Sequence, residues 1–307
     1  MSRIAFCFPG QGSQRVGMGQ ELARDFPESQ AVFDETSERL GFDLAALCFD
    51  GPLEELSLTE NTQPALVAAS LAALRAVEQR SGLRADVVIG HSVGEYAALA
   101  AAGSLSVPDV IGLVRARGLA TRSPAVPGAM AAVLGLPDEQ VERLCQDADR
   151  VWPANYNCPG QIVISGSEQG VTDVSERAKA AGGKAIRLRV AGAFHSPLMA
   201  DAVSDFRPAL DAVTFGPLTT RYMSTVTSEI ETVERVPELL LEQLTAPVRF
   251  TQAVQSLVAD GVDVFVELGP GGVLAGLIKR IDPSVRSITV GSPSELEAAM
   301  EVTADAS

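Results

Sequence analysis

Apolar and polar positions follow one another along this chain in blocks whose period changes. Arg3–Phe8 is a short apolar run stopped by Pro9-Gly10, and it reads as a buried strand. Residues 85–89 form a second such run, entering a glycine-flanked turn at once. Residues 262–268 form a third, running into Gly269-Pro270-Gly271-Gly272. Between them the spacing lengthens to a helical turn. Leu66, Ser70, Leu74 and Val77 share one face, with Pro64 suited to the first turn. Residues 96–102 and those after Gly272, through Lys279, read as further helices. Strand–loop–helix alternation predicts an α/β chain with a parallel sheet covered on both faces.

The middle of the chain has a different texture. Residues 128–136 read as a strand and 138–147 as a helix. Two strands, 151–155 and 161–165, flank the turn signal Asn157-Cys158-Pro159-Gly160. A helix over 171–181 closes at Gly182-Gly183, and 184–190 is a strand. This βαββαβ order over roughly 70 residues is the split βαβ, ferredoxin-like pattern. It predicts a small subdomain, 123–191, inserted into a larger domain made of 1–122 and 192–307. The acidic, Ala-rich tail from Ser294 predicts a last helix and then frayed residues.

Composition narrows the function classes. The 307 residues are 46% apolar with a net charge of −15, a poor surface for nucleic acid or an anionic membrane. Mean hydropathy is +0.17. The apolar stretch 65–74, broken only by Ser70, is far shorter than the roughly 18 residues that span a bilayer. No secretory pattern follows the opening residues, and the four cysteines (Cys7, Cys48, Cys145, Cys158) are far apart without a C-x-x-C pair. A cytoplasmic protein with reduced thiols is expected. With His91 and His195 its only histidines, no multi-His metal site is expected.

The sharpest chemical signal is Gly90-His91-Ser92-Val93-Gly94, between an apolar strand and an Ala-rich helix. Alone, G-x-S-x-G also describes a plain βα turn whose Ser caps the helix. In this context it reads as a nucleophile elbow, with Ser92 presented at a helix N-terminus that favours developing negative charge. The residue after such a nucleophile is a standard oxyanion donor, which singles out the Val93 amide. A serine nucleophile needs a base. His91 adjoins Ser92 at a tight turn from which neighbouring side chains diverge, so its simpler role is packing or hydrogen bonding. That leaves His195, in Gly192-Ala193-Phe194-His195-Ser196-Pro197.

Six ordered motifs carry a family resemblance: residues 8–14 (Phe-Pro-Gly-Gln-Gly-Ser-Gln), 90–95 (Gly-His-Ser-Val-Gly-Glu), Arg117-Gly118, 157–161 (Asn-Cys-Pro-Gly-Gln), 193–197 (Ala-Phe-His-Ser-Pro) and 267–271 (Glu-Leu-Gly-Pro-Gly). Over essentially its whole length the chain resembles the malonyl-CoA:acyl carrier protein transacylases of fatty acid synthesis. The resemblance implies an α/β-hydrolase-like core with a ferredoxin-like subdomain. It implies Ser92 as nucleophile, His195 as general base, and the Gln11 and Val93 amides as oxyanion hole. A backbone carbonyl would orient His195, and the matching position falls at Arg249. Arg117 would hold the malonyl carboxylate, a role that its bidentate guanidinium suits in a chain with no general positive field. Gln63 either lines the pocket or caps a helix, and His91 lies beside the substrate. Cys158 stands where the family commonly has Ser, a neutral exchange.

The resemblance also implies malonyl-CoA and an acyl carrier protein as partners and no resident cofactor, since the partner brings phosphopantetheine. A monomer is expected. Carrier docking would need local basic surface, either Lys184, Arg187 and Arg189 or Lys279 and Arg280. Two rival activities remain open on the residues: a discrete polyketide-synthase acyltransferase, and a serine thioesterase or esterase.

Overall fold

The apolar runs become the centre of a sheet. The computed structural model describes residues 2–122, 126–190 and 192–304, with side chains to 301. Its strands are β1 (Arg3–Phe8), β2 (Val87–Gly90), β3 (Ala129–Leu134), β4 (Val151–Cys158) and β5 (Gln161–Gly166). There follow β6 (Lys184–Arg187), β7 (Arg221–Met223), β8 (Ile230–Glu231), β9 (Val262–Leu268) and β10 (Arg286–Val290). Two sheets result, ordered β10-β9-β1-β2-β7-β8 and β4-β5-β3-β6. In the first, every pair but β7–β8 is parallel. The second is antiparallel throughout. A mixed α/β architecture with a largely parallel sheet and a separate antiparallel one is therefore present.

The two-residue period of β1 sorts its side chains. Phe6 and Phe8 enter one core, with Leu66, Val88 and Tyr96. Ala5 and Cys7 enter the other, with Ile89, Phe250 and Phe265. Both faces are dry, which is why β1 reads as continuous rather than alternating apolar sequence. The antiparallel sheet has its own core around Val133, Val141, Ile164 and Val174. Its edge strand β4 is not left open: Tyr156 N–H donates to the Val248 carbonyl and Val248 N–H to that of Ala154, both at 2.8 Å.

Several boundaries move for identifiable reasons. The helix with Leu66 and Leu74 starts at Thr59, not at Pro64, and runs to Arg80. Pro64 cannot donate to the Glu60 carbonyl one turn back, and Arg115 Nη1 donates there instead at 2.7 Å. The expected turn at 157–160 shrinks to Pro159-Gly160, because Asn157 and Cys158 stay in β4 and Gly160 takes φ 72°. β7, β8 and the helices Pro27–Leu40, Val107–Thr121, Ala200–Asp211, Val236–Glu242 and Phe250–Ala259 were not anticipated. The last helix, Pro293–Ala304, is present. The residues at the expected subdomain ends, 123 and 191, and the tail beyond 304, where fraying is expected, lie outside the described set.

Candidate active site

The carboxyl ends of β1 and β2 lie side by side, with Phe8 paired to Gly90. Two tight turns leave from there. A Cβ on Gly90 would overlap the Glu95 nitrogen, and one on Gly94 the Phe8 carbonyl, so these glycines are dictated by close backbone approach. Between them Ser92 has φ 53° and opens the way into the helix Gly94–Ala101. His195 has φ 58°. Ordinary L-residues avoid this left-handed region, and both strained side chains point at one another. Ser92 Oγ lies 2.8 Å from His195 Nε2.

The other imidazole nitrogen fixes the tautomer. His195 Nδ1 sits 2.8 Å from the Gln243 carbonyl, which can only accept, so Nδ1–H donates there and Nε2 is free to take the serine proton. Burial first, and the Arg117 charge second, pull the His195 pKa down from 6.5 to about 3. The imidazole is therefore neutral and ready as a base.

That carbonyl belongs to Gln243, not to Arg249 as expected. Arg249 caps the helix Phe250–Ala259, so its carbonyl accepts from Ala253 N–H at 3.0 Å, while its own N–H donates to Thr225 at 2.7 Å. Its guanidinium lies over the Tyr156 ring. Gln243 instead follows the last turn of Val236–Glu242, where carbonyls lose their helical partners and one is available to an imidazole.

Arg117, on the helix Val107–Thr121, is 5% exposed. Its Nη2 donates to Ser92 Oγ (3.2 Å) and to Gln243 Oε1 (3.0 Å), and its Nη1 to Gln63 Oε1 (2.9 Å). Its Nε has no hydrogen-bond partner. Among the described residues no carboxylate comes within ion-pair distance of it. Gln63 lies inside the Thr59–Arg80 helix rather than at its cap, and its Nε2 reaches Thr121 Oγ1 at 3.3 Å.

Gln11 and Val93 line the same cavity as Ser92, and among the described residues neither backbone amide has a hydrogen-bond partner. His91 shares the cavity wall, but its Nε2 is engaged by Asn157 Oδ1 at 2.9 Å and its ring packs by Phe250. Sequence reasoning missed Gln243 and also the anchoring role of Glu95. That buried carboxylate accepts from Tyr222 Oη and Thr225 N–H, both at 2.7 Å, and from Thr225 Oγ1. It thus ties the first turn of the elbow helix to β7 and the segment that follows it. The cavity, about 540 Å³, is also lined by Met130, Asn155, Leu188 and Arg189.

A buried neutral histidine on a strained serine, with two unpartnered amides beside it, defines an enzyme site built for acyl-group transfer. The chain belongs to the acyl transferase domain family, whose model matches residues 5–292. It is 44% identical over 309 aligned residues to the malonyl CoA-acyl carrier protein transacylase of Bacillus subtilis, covering 98% of this chain and 97% of that one. Its fold superposes with TM-score 0.95 on the acyl-carrier-protein-S-malonyltransferase of Bartonella henselae, at 39% identity over 98% and 99% of the two chains. A malonyl-transacylase solved in complex with its type II PKS acyl-carrier protein matches at TM-score 0.94 and 39% identity, over 98% and 100%.

Proposed function

We propose that this enzyme moves a malonyl group from malonyl-CoA to the phosphopantetheine thiol of an acyl carrier protein through a malonyl-Ser92 ester. The observation that carries the reading is Arg117: a buried guanidinium within 3.2 Å of the nucleophile oxygen, held by amide oxygens and by no carboxylate. Such a group favours an acyl chain that brings its own carboxylate, to which the guanidinium N–H groups can donate.

In the first half-reaction Ser92 Oγ attacks the thioester carbon and its proton passes to His195 Nε2. The oxyanion gathers on the Gln11 and Val93 amides. The CoA thiolate then leaves with the proton from His195. In the second half the carrier's thiol gives its proton to His195, its sulfur attacks the ester, and Ser92 recovers its hydrogen. His195 is oriented by a carbonyl, so the imidazolium has no carboxylate to stabilise it and the proton is passed on readily.

The antiparallel sheet with its two helices is read as a ferredoxin-like subdomain, 123–191. It is inserted in a hydrolase-like core of 1–122 and 192–307. Of the basic side chains considered for carrier docking, Arg187 pairs with Glu168 and Arg280 holds Gln161 and the Pro159 carbonyl. Arg189 lies at the cavity wall and is the docking cation we favour. Free, buried cysteines suit a cytoplasmic setting. No described helix is long and apolar enough to cross a membrane. The solved complex with a polyketide carrier supports a second reading, in which the acceptor serves polyketide assembly.

Mass spectrometry after brief exposure to malonyl-CoA tests the proposal. A malonyl adduct on the peptide containing Ser92, absent in Ser92→Ala, is expected. Turnover to free malonate without an acceptor, or an undiminished adduct in Ser92→Ala, would overturn it.

A further inference from the structure

A buried arginine is usually held by carboxylates, yet Arg117 rests on two amide oxygens, those of Gln63 and Gln243. Gln243 is itself fully buried. Its amide can adopt only one orientation here: Oε1 faces a guanidinium that only donates, and Nε2 donates to the Ser92 carbonyl, which only accepts, at 3.1 Å. The same side chain faces the Glu95 carboxylate. One neutral amide therefore links the group expected to hold the acyl carboxylate to the backbone of the strained nucleophile.

We infer that the Gln243 side chain is a positioning residue that sets acyl selectivity, because it fixes Arg117 beside Ser92 without neutralising it. This rests on the malonyl reading above. A carboxylate at 243 would pair with Arg117 and compete with the incoming acyl carboxylate. An apolar side chain of the same length would leave the guanidinium unsteered. The main-chain carbonyl on His195 survives either change, so the base keeps its tautomer. Loss of the bond to the Ser92 carbonyl slows every acyl group alike, whereas the effect through Arg117 falls only on acyl groups that carry a carboxylate.

The test measures acylation of Ser92 by malonyl-CoA and by acetyl-CoA, with kcat and KM separated, in Gln243→Glu and Gln243→Met. Each is made in the otherwise unchanged chain and with Arg117→Ala. Gln243→Glu is expected to lower the malonyl-to-acetyl ratio of kcat/KM about tenfold or more, chiefly through KM for malonyl-CoA, as befits a charge-assisted contact. Gln243→Met, which keeps volume and adds no buried charge, should lower the ratio about threefold and stays readable if the glutamate variant fails to fold. With Arg117→Ala in place, neither change should move the ratio. Equal slowing of both acyl groups by both variants would overturn the inference and leave malonyl transfer standing. Absence of any malonyl adduct in the unchanged chain would overturn both.

Discussion

Around the cavity, the side raised from the six-stranded sheet carries a polar, hydrogen-bonded set, Ser92, Arg117, Gln63 and His195, steadied by the buried Gln243, beside Gln11 and Val93, whose amides have no hydrogen-bond partner among the described residues. The wall contributed by the antiparallel sheet and the segment just after β6 is Met130, Leu188 and Val190, with Asn155 and Arg189 as its polar members. The first wall accepts backbone strain at Ser92 and His195 and a desolvated cation to hold reacting atoms in place. In the second, Met130 packs with Ala154 and Val163 in an apolar cluster against which Leu188 lies. The difference teaches that chemistry and enclosure are assigned to separate sheets. Substitutions on the two walls should then affect different kinetic constants.

The strongest test of that division stays within the polar wall and compares its two histidines. His195→Ala removes the base and should cut acylation about 10⁴-fold, the scale seen when a member of a nucleophile–base unit is lost. His91→Ala strips Asn157 Oδ1 of its partner and opens space against Phe250. It should cost about 2 kcal/mol of stability yet less than about tenfold in acylation. Stopped-flow acylation beside urea unfolding reads both. Comparable losses of acylation in the two variants would break the assignment of chemistry to His195 alone.

A weaker effect is expected in the pH profile. His195 must be neutral to accept the proton, and its pKa is lowered, so the base stays competent as pH falls below the ordinary histidine value of 6.5. The kcat/KM for acylation should therefore show no histidine inflection between about pH 5 and 8. Arg117→Ala removes a cation that disfavours the imidazolium, so the His195 pKa rises and the acid limb moves upward. A limb centred near 6.5 in the unchanged enzyme would show that the polar wall is wetter than its geometry implies.

How far the sequence discloses each wall follows from what each is made of. The meeting of Ser92 with His195 was legible because each side chain stands in a distinctive turn. The apolar runs of β1, β2 and β9 were legible because strands buried on both faces leave an unbroken signature. Gln243 was not, since the feature that matters is a main-chain carbonyl left over at a helix end, and any residue supplies one. The family resemblance put this role at Arg249, whose carbonyl is spent inside the next helix. The Val-Pro opening of Val236–Glu242 was the available signal, because placing that helix places its orphan carbonyls. β7 and β8 are three and two residues long and half polar, so their pairing comes from neighbours rather than from pattern. Pro64 misled for a tertiary reason: Arg115, far along the chain, satisfies the carbonyl that proline abandons.

The smallest expected effect falls on the apolar wall, where the comparison is easiest to break. Leu188 continues past β6, its N–H donating to the Met130 carbonyl at 2.9 Å, and its half-buried side chain lines the cavity. Leu188→Ala leaves that backbone bond in place and removes only apolar surface, worth about 1 kcal/mol for a side chain half covered. If the antiparallel sheet only encloses the acyl donor, that loss weakens ground state and transition state alike. KM for malonyl-CoA should then rise about fivefold, while kcat changes less than about twofold. The malonyl-to-acetyl ratio should hold, because no charge is touched. A fall in kcat as large as the rise in KM would mean that the apolar wall also shapes the transition state, and the division between the two sheets would not hold.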